Sequence, residues 1–150
     1  LPVKRFFLTA LALGGVGMLA SHRMGSRPEV DGADSPLPSC GPYPNCARLS
    51  RAIPANAETV RRVAEAAVRS DRGLLTGRAD ELSLTQGGLR ATYKIGPFTD
   101  DLALEVTAGP DGQSVLHLRS ASRAGRSDLG VNQRRLDRLT DDILARLGVL

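Results

Sequence analysis

The sequence predicts an α+β chain: an N-terminal transmembrane helix, a linker, and an α-β-β-β-β-α two-layer sandwich with an antiparallel sheet. Three observations carry that prediction. Residues 6–20 (FFLTALALGGVGMLA) form an uncharged apolar run. The middle of the chain alternates apolar and polar residues with period two, and the stretches on either side repeat apolar residues at helical spacing. The implied organisation is 1–24 as a membrane anchor or signal segment, 25–54 as a Pro-rich linker holding a cysteine pair, and 55–150 as the folded domain.

Composition narrows the function classes. With 41% hydrophobic and 24% charged residues in 150, the chain has the make-up of a folded protein. Aromatics are 3% and Trp is absent, so the core must come from Leu, Val, Ile and Ala. The same scarcity excludes a base-stacking nucleic-acid platform. The net charge of +4 is unevenly placed: Lys4, Arg5, Arg23 and Arg27 against Glu29 leave +3 in the first 30 residues and +1 in the rest. Basicity that surrounds one apolar segment points to a membrane surface and away from nucleic acid as partner.

The apolar run has two readings. A cleaved signal peptide shows a basic start and an apolar middle of this length, but Met18 is a poor residue three positions from a cut after Ala20. As a retained anchor, fifteen residues span roughly 23 Å at ~1.5 Å each, against a hydrocarbon core of ~30 Å. Snorkelling Lys and Arg and the flanking residues close that gap. Retention is the expectation taken forward. Ala10, Gly14 and Gly17 then share one small-residue face suited to close packing against another membrane helix. Lys4 and Arg5 orient the N-terminus inward, which places the body on the periplasmic side of a bacterial cytoplasmic membrane as a single-pass protein.

The linker carries Pro28, Pro36, Pro38, Pro42, Pro44 and Pro54 and reads as a stiffened tether. Within it, CGPYPNC spaces Cys40 and Cys46 by five residues. A zinc site needs further Cys or His nearby, and the histidines are His22 and His117. A redox dithiol usually has two intervening residues. In an oxidising compartment the pair reads as a local disulfide.

Asn56 caps an expected helix over Ala57–Ser70, with Val60, Val63, Ala64, Ala67 and Val68 on its apolar face. Residues 71–80 read as a turn-rich connection. Four strands follow: Leu82 and Leu84; Leu89, Ala91, Tyr93 and Ile95; Leu102, Leu104, Val106 and Ala108; and Leu116 and Leu118 are their inward rows. His117 and Arg119 then face outward, and GPDG at 109–112 is a hairpin connection. A second helix is expected over 133–147, with Leu136, Leu139, Ile143, Leu144 and Leu147 as its stripe and Asn132 or Asp128 as its cap. Both helices must bury their stripes, so they belong on the apolar face of the sheet.

Residues 119–139 (RSASRAGRSDLGVNQRRLDRL), together with CGPYPNC and FTDDLALEV (98–106), resemble the uncharacterised family called domain of unknown function 1499. That family's pattern has a Cys-Pro-x-Ser-Pro-Asn-Cys-like start, a Phe-x-Asp-Asp segment and an Arg-Ser-x-Ser-Arg-x-Gly-x-Ser-Asp-x-Gly-x-Asn signature, which occur here in order. Gly41 and Tyr43 depart from it, as does Arg126 where the family often has an aromatic. The resemblance implies no established activity; members are typically bacterial or plastid proteins, often with a signal or membrane segment.

Two uses of these residues follow from their chemistry. Asp101 can pair with Arg119 or Arg123 and fix strand register. Alternatively Arg119, Ser120, Ser122 and Arg123, with Asp128 and Asn132 at the following helix N-terminus, converge on a carboxylate or phosphate. Catalysis has the least support: no Ser/His/Asp trio is suitably spaced, and adjacent Asp100 and Asp101 point to opposite faces of a strand. No metal or cofactor is expected. The leading expectation is therefore a non-catalytic, membrane-anchored accessory subunit of a larger membrane complex, of respiratory or photosynthetic kind, with other integral membrane subunits as partners. The alternative is a periplasmic binding module for a small anionic ligand.

Overall fold

The structure is a computed structural model that describes residues 34–149. The expected membrane helix, with Ala10, Gly14 and Gly17, lies outside the described residues. Among those described, no helix is long and apolar enough to cross a membrane.

Six antiparallel strands and two helices make the fold. Strand β1 (Cys46–Ile53) precedes helix α1 (Ala57–Ser70); β2 (Arg72–Gly73), β3 (Gly77–Leu84), β4 (Gly88–Ile95), β5 (Phe98–Ala108) and β6 (Ser114–Ser122) follow, and helix α2 (Val131–Leu147) ends the fold. The spatial order is β1-β6-β5-β4-β3-β2. Every neighbouring pair from β2 to β6 is consecutive in sequence, so tight turns suffice to join them. Only β1 reaches its partner β6 across the length of the chain.

The helices lie on one face. Val60, Ala64, Ala67 and Val68 of α1 and Leu136, Leu139, Ile143 and Leu144 of α2 share a single buried cluster with the inward rows of β4, β5 and β6. The period-two reading holds in the central strands, where Leu89, Ala91, Tyr93, Leu102, Leu104, Val106, Leu116 and Leu118 are all buried. It fails at the margins. Leu84 and Ala108, the last residues of β3 and β5, are exposed. Asn56 caps α1 as expected, its Oδ1 accepting from Thr59 N at 2.9 Å. Helix α2 begins two residues earlier than its stripe suggested. Its N-cap position is Gly130, in the left-handed region at φ 78°, where glycine carries no steric penalty.

Two stretches differ from the sequence expectation. Part of the supposed tether is sheet: residues 46–53 contain no proline, pair with β6 over eight positions, and bury Ala47 and Ile53. Leu37, also expected in the tether, is buried, and the Arg48 guanidinium donates to Ser35 O at 3.2 Å and Ser39 Oγ at 3.4 Å. The folded unit therefore starts well before residue 55. The supposed loop 71–80 contributes β2 and the start of β3, and it buries Asp71 and Thr76.

Cys40 and Cys46 form a disulfide with Cα atoms 5.6 Å apart. It fixes the chain at the point where it enters β1, and Asn45 within its loop donates to Gly125 O at 2.7 Å. Closing so short a loop removes little entropy from the unfolded chain. Replacing both cysteines by serine is expected to lower stability by about 2 kcal/mol, read as a lower midpoint in urea denaturation with the unfolding slope little changed.

Candidate anion-binding groove

The sheet divides polar chemistry into two sets, because neighbouring side chains on a strand point to opposite faces. On β6, Ser120 and Ser122 face the helices, while His117 and Arg119, and Arg123 just past the strand's end, face away. The six residues expected to converge on one anion are thus split between the faces.

On the helix side the polar residues satisfy one another around Arg135, a residue that sequence reasoning did not single out. Its guanidinium is fully buried, and Nη1 donates to Ser120 Oγ (2.7 Å) and Asn132 Oδ1 (2.8 Å). Nη2 donates to Thr76 O (2.8 Å) and Asp100 Oδ2 (2.9 Å), and the plane lies 4.2 Å from the Tyr93 ring centroid. Asn132 extends the network through Nδ2 to Ser122 Oγ, Asn45 O and Asp128 Oδ2. Asp128 also accepts from the backbone N–H of Gly130 and Asn132 at 2.8 and 2.7 Å. The N-terminus of α2 thus has its anion built in, and Asp128 acts from two residues before the N-cap position instead of occupying it. Beside this network, Arg138 pairs with Asp71 (Nε to Oδ1, 2.8 Å) and contacts Thr76 Oγ1, while Tyr93 Oη donates to Asp71 at 2.9 Å. Burial first, and the Asp71 carboxylate second, hold the Tyr93 phenol protonated far above its ordinary range.

The opposite face carries a groove of about 530 Å³ crossing β3 to β6, with Pro38 at its border. The strand registers align Arg48 (β1), Arg119 (β6), Ala103 (β5), Arg90 (β4) and Ser83 (β3) in one row across this face. Ala103 is the small residue in the floor, between Arg119 and Arg90. Arg90 is neutralised by Glu105 at 2.9 Å. Arg123 is neutralised by Asp101, donating from Nε to both carboxylate oxygens (3.1 and 3.0 Å) and from Nη2 to Oδ1 (2.8 Å). Of the two partners considered for Asp101, the register selects Arg123, and the hydrogen bonds that Arg123 donates to this carboxylate raise the guanidinium pKa. Both side chains of that pair are half exposed, so it orients groups at the surface and contributes little to stability.

Arg48 and Arg119 are left over. They stand directly opposite one another on adjacent strands, an arrangement in which like charges repel. Among the described residues, Arg48 donates only to neutral oxygens, and no acidic side chain pairs with either guanidinium. The Nε atoms of both are buried and lack a hydrogen-bond partner among the described residues, as does the Nε of Arg135 on the other face, whose charge Asp100 balances. The alternation of Ala47, Leu49 and Ile53 with Arg48 and Ser50 is the sequence signal for this strand, hidden by the prolines that flank it.

His117 also faces this side, yet it is buried and not a surface residue as expected. Ser50 Oγ lies 2.7 Å from Nδ1 and Thr107 Oγ1 lies 3.0 Å from Nε2. Burial, and then the charge of Arg48, lowers its pKa below the ordinary imidazole value of 6.5, with Glu105 opposing. Among the described residues no group of three His, Cys, Asp or Glu side chains could hold a metal ion.

A family model described as protein of unknown function (DUF1499) matches residues 34–143. No curated protein matches the chain.

Two expectations follow. Arg135→Leu orphans the buried Asp100 carboxylate and should cost about 3–5 kcal/mol, whereas Arg135→Leu combined with Asp100→Leu should cost less than the single change; urea midpoints of the two variants decide this. His117 binds protons less readily folded than unfolded, so its contribution to stability is present above pH 6.5 and is lost as pH falls through the lowered folded pKa. His117→Gln should therefore reduce the fall in melting temperature between neutral and mildly acidic buffer.

Proposed function

The chain belongs to the DUF1499 family of proteins of unknown function, and we propose that this member is an extracytoplasmic, membrane-tethered binding module for a small anionic ligand, a carboxylate or a phosphate, held in the groove by Arg119. The observation that carries this reading is the uncompensated Arg48–Arg119 pair. Two arginines paired across adjacent strands without a carboxylate among the described residues raise the energy of the empty protein, and an anion held by Arg119 in the groove reduces that repulsion. Arg119 is the residue of the pair that lines the groove. It presents a planar fork suited to two parallel hydrogen bonds with carboxylate or phosphate oxygens. Asp101 and Glu105 keep Arg123 and Arg90 from acting as additional free charges, which limits the ligand to a modest charge. Ser83 and Thr92 at the border offer hydroxyls for the ligand's remaining polar atoms.

The compartment is inferred from two features. Residues 6–20 behind Lys4 and Arg5 have the pattern of an export signal or anchor, and a structural disulfide suits an oxidising environment. A second reading, an accessory subunit of a larger membrane complex, is favoured by the spacing of Ala10, Gly14 and Gly17. Gentle detergent extraction and native-size measurement test it: migration at the size of a lone chain removes it.

Calorimetric titration with inorganic phosphate and, separately, with succinate tests the binding module. Heat of binding with either, weakened about tenfold or more in Arg119→Gln, is the expected result. Arg119→Gln should melt no lower than the unaltered protein in ligand-free buffer, because it relieves the repulsion with Arg48. Absence of heat with both anions, or unchanged binding in the variant, overturns the reading.

A further inference from the structure

Five large side chains with apolar surface that the fold leaves open lie at one end of the sheet. That end is defined by the start of β1, the β2–β3 turn, the β4–β5 turn and the β6–α2 connection, which the registers Cys46↔Ala121, Arg78↔Lys94, Ile95↔Phe98 and Asp100↔Ser122 bring together. Leu74 is fully exposed, Leu129 85%, Leu75 67%, Phe98 56% and Tyr43 48%. The opposite end presents Leu84 alone among the exposed large hydrophobics of the described residues. Leu129 is the most telling of them. It sits at φ 54°, a left-handed conformation that glycine or asparagine adopts more readily, and there it holds a leucine side chain out into the surroundings.

The charge at this end has one sign to spare. Five of its carboxylates are engaged: Asp71 with Arg138, Asp80 with Lys94, Asp100 with Arg135, Asp101 with Arg123, and Asp128 with backbone amides at the start of α2, which leaves Glu81 as the exposed carboxylate beside them. Arg72, Arg78, Arg126 and Arg134 are exposed and pair with no carboxylate among the described residues. Arg72 and Arg134 donate to backbone carbonyls, and Arg126 lies 5.3 Å from the Tyr43 ring centroid. Apolar side chains ringed by unpaired arginines are the chemistry of a contact with an anionic lipid surface. The apolar groups enter the headgroup boundary and the guanidinium groups meet the phosphates.

We propose that this end of the sheet rests on the surface of an anionic phospholipid bilayer. The chain length agrees with it. Thirteen residues separate Ala20 from Asp34, and covalent geometry limits that stretch to about 45 Å. On the tethered reading proposed above, on which this inference rests, the body is held within reach of the bilayer at a high local concentration. The contact does not depend on what occupies the groove.

The absence of Trp from the chain supplies the test. Single-Trp variants Leu75→Trp, Phe98→Trp and, as a control at the far end, Leu84→Trp are made in the full chain and reconstituted into vesicles of phosphatidylethanolamine and phosphatidylglycerol. All three positions are exposed, so the substitutions leave the core untouched. Blue-shifted emission at Leu75→Trp and Phe98→Trp, lost when the lipids carry brominated chains, is the expected result, with Leu84→Trp unaffected by bromination. Flotation read on the same samples reports the tether separately. A chain that floats with the vesicles but is unquenched at both positions overturns the surface contact while the tether stands. Shielding of those positions from aqueous iodide without bromine quenching also overturns it, and indicates a protein partner in its place. A chain that fails to float overturns both.

Discussion

A guanidinium inside an apolar core is tolerable only where oxygens and a ring gather around its charge, and Arg135, with both Nη atoms paired, imposes that condition on the rest of the molecule. It draws Asp100 from β5, Ser120 from β6, Tyr93 from β4, Asn132 from its own helix and the carbonyl of Thr76 from the turn before β3. Five segments that are distant in sequence must arrive together before the charge can be buried. The connection 71–80 is ordered for this reason. Its Thr76 carbonyl completes the ring of acceptors, and Asp71 meets Arg138 one turn further along α2. Apolar burial supplies the bulk of the stabilisation, but the pairing requirement decides which arrangement of helices on sheet is acceptable. A buried ion pair contributes little net energy beyond that of apolar replacements, while an incomplete one is costly.

The two faces of β6 show how one strand serves two purposes. Ser120 and Ser122 close the buried network, and Arg119 and Arg123, one residue away from each, are delivered to the opposite side. The interior set has its charges paired, with Asp128 even occupying the anion position that the start of α2 would otherwise offer. The exterior set does not, since Arg119 and Arg48 face one another unneutralised. That contrast separates residues that hold the fold from residues available to a ligand. Both kinds occur in the same short stretch of sequence.

Much of the architecture is legible without the structure. Helix α1 and its Asn56 cap, the inward rows of β4, β5 and β6, the stripe of α2 and the cysteine pair all follow from local period and spacing. What was not legible is nonlocal. Strand β1 is hidden because its partner lies some seventy residues away and prolines bracket it. His117 looks like a surface residue until β1 and β5 place Ser50 and Thr107 against its ring. Arg135 reads as one of several helix-surface arginines, since helical spacing says nothing of which oxygens will face it.

The sequence by itself determined the order of the two helices and of the four strands between them, the single apolar face of each, the apolar run at residues 6–20 with its basic flank, and the local disulfide. Each is set by residues within a few positions of one another, where steric preference and period operate directly. Tertiary structure alone decided that Arg135 is interior, that Arg48 stands beside Arg119, and that the serines of the 119–139 signature are separated from its arginines. Burial and charge pairing are properties of what packs against a side chain, and in an antiparallel sheet that neighbour is chosen by register across strands, not by position along the chain.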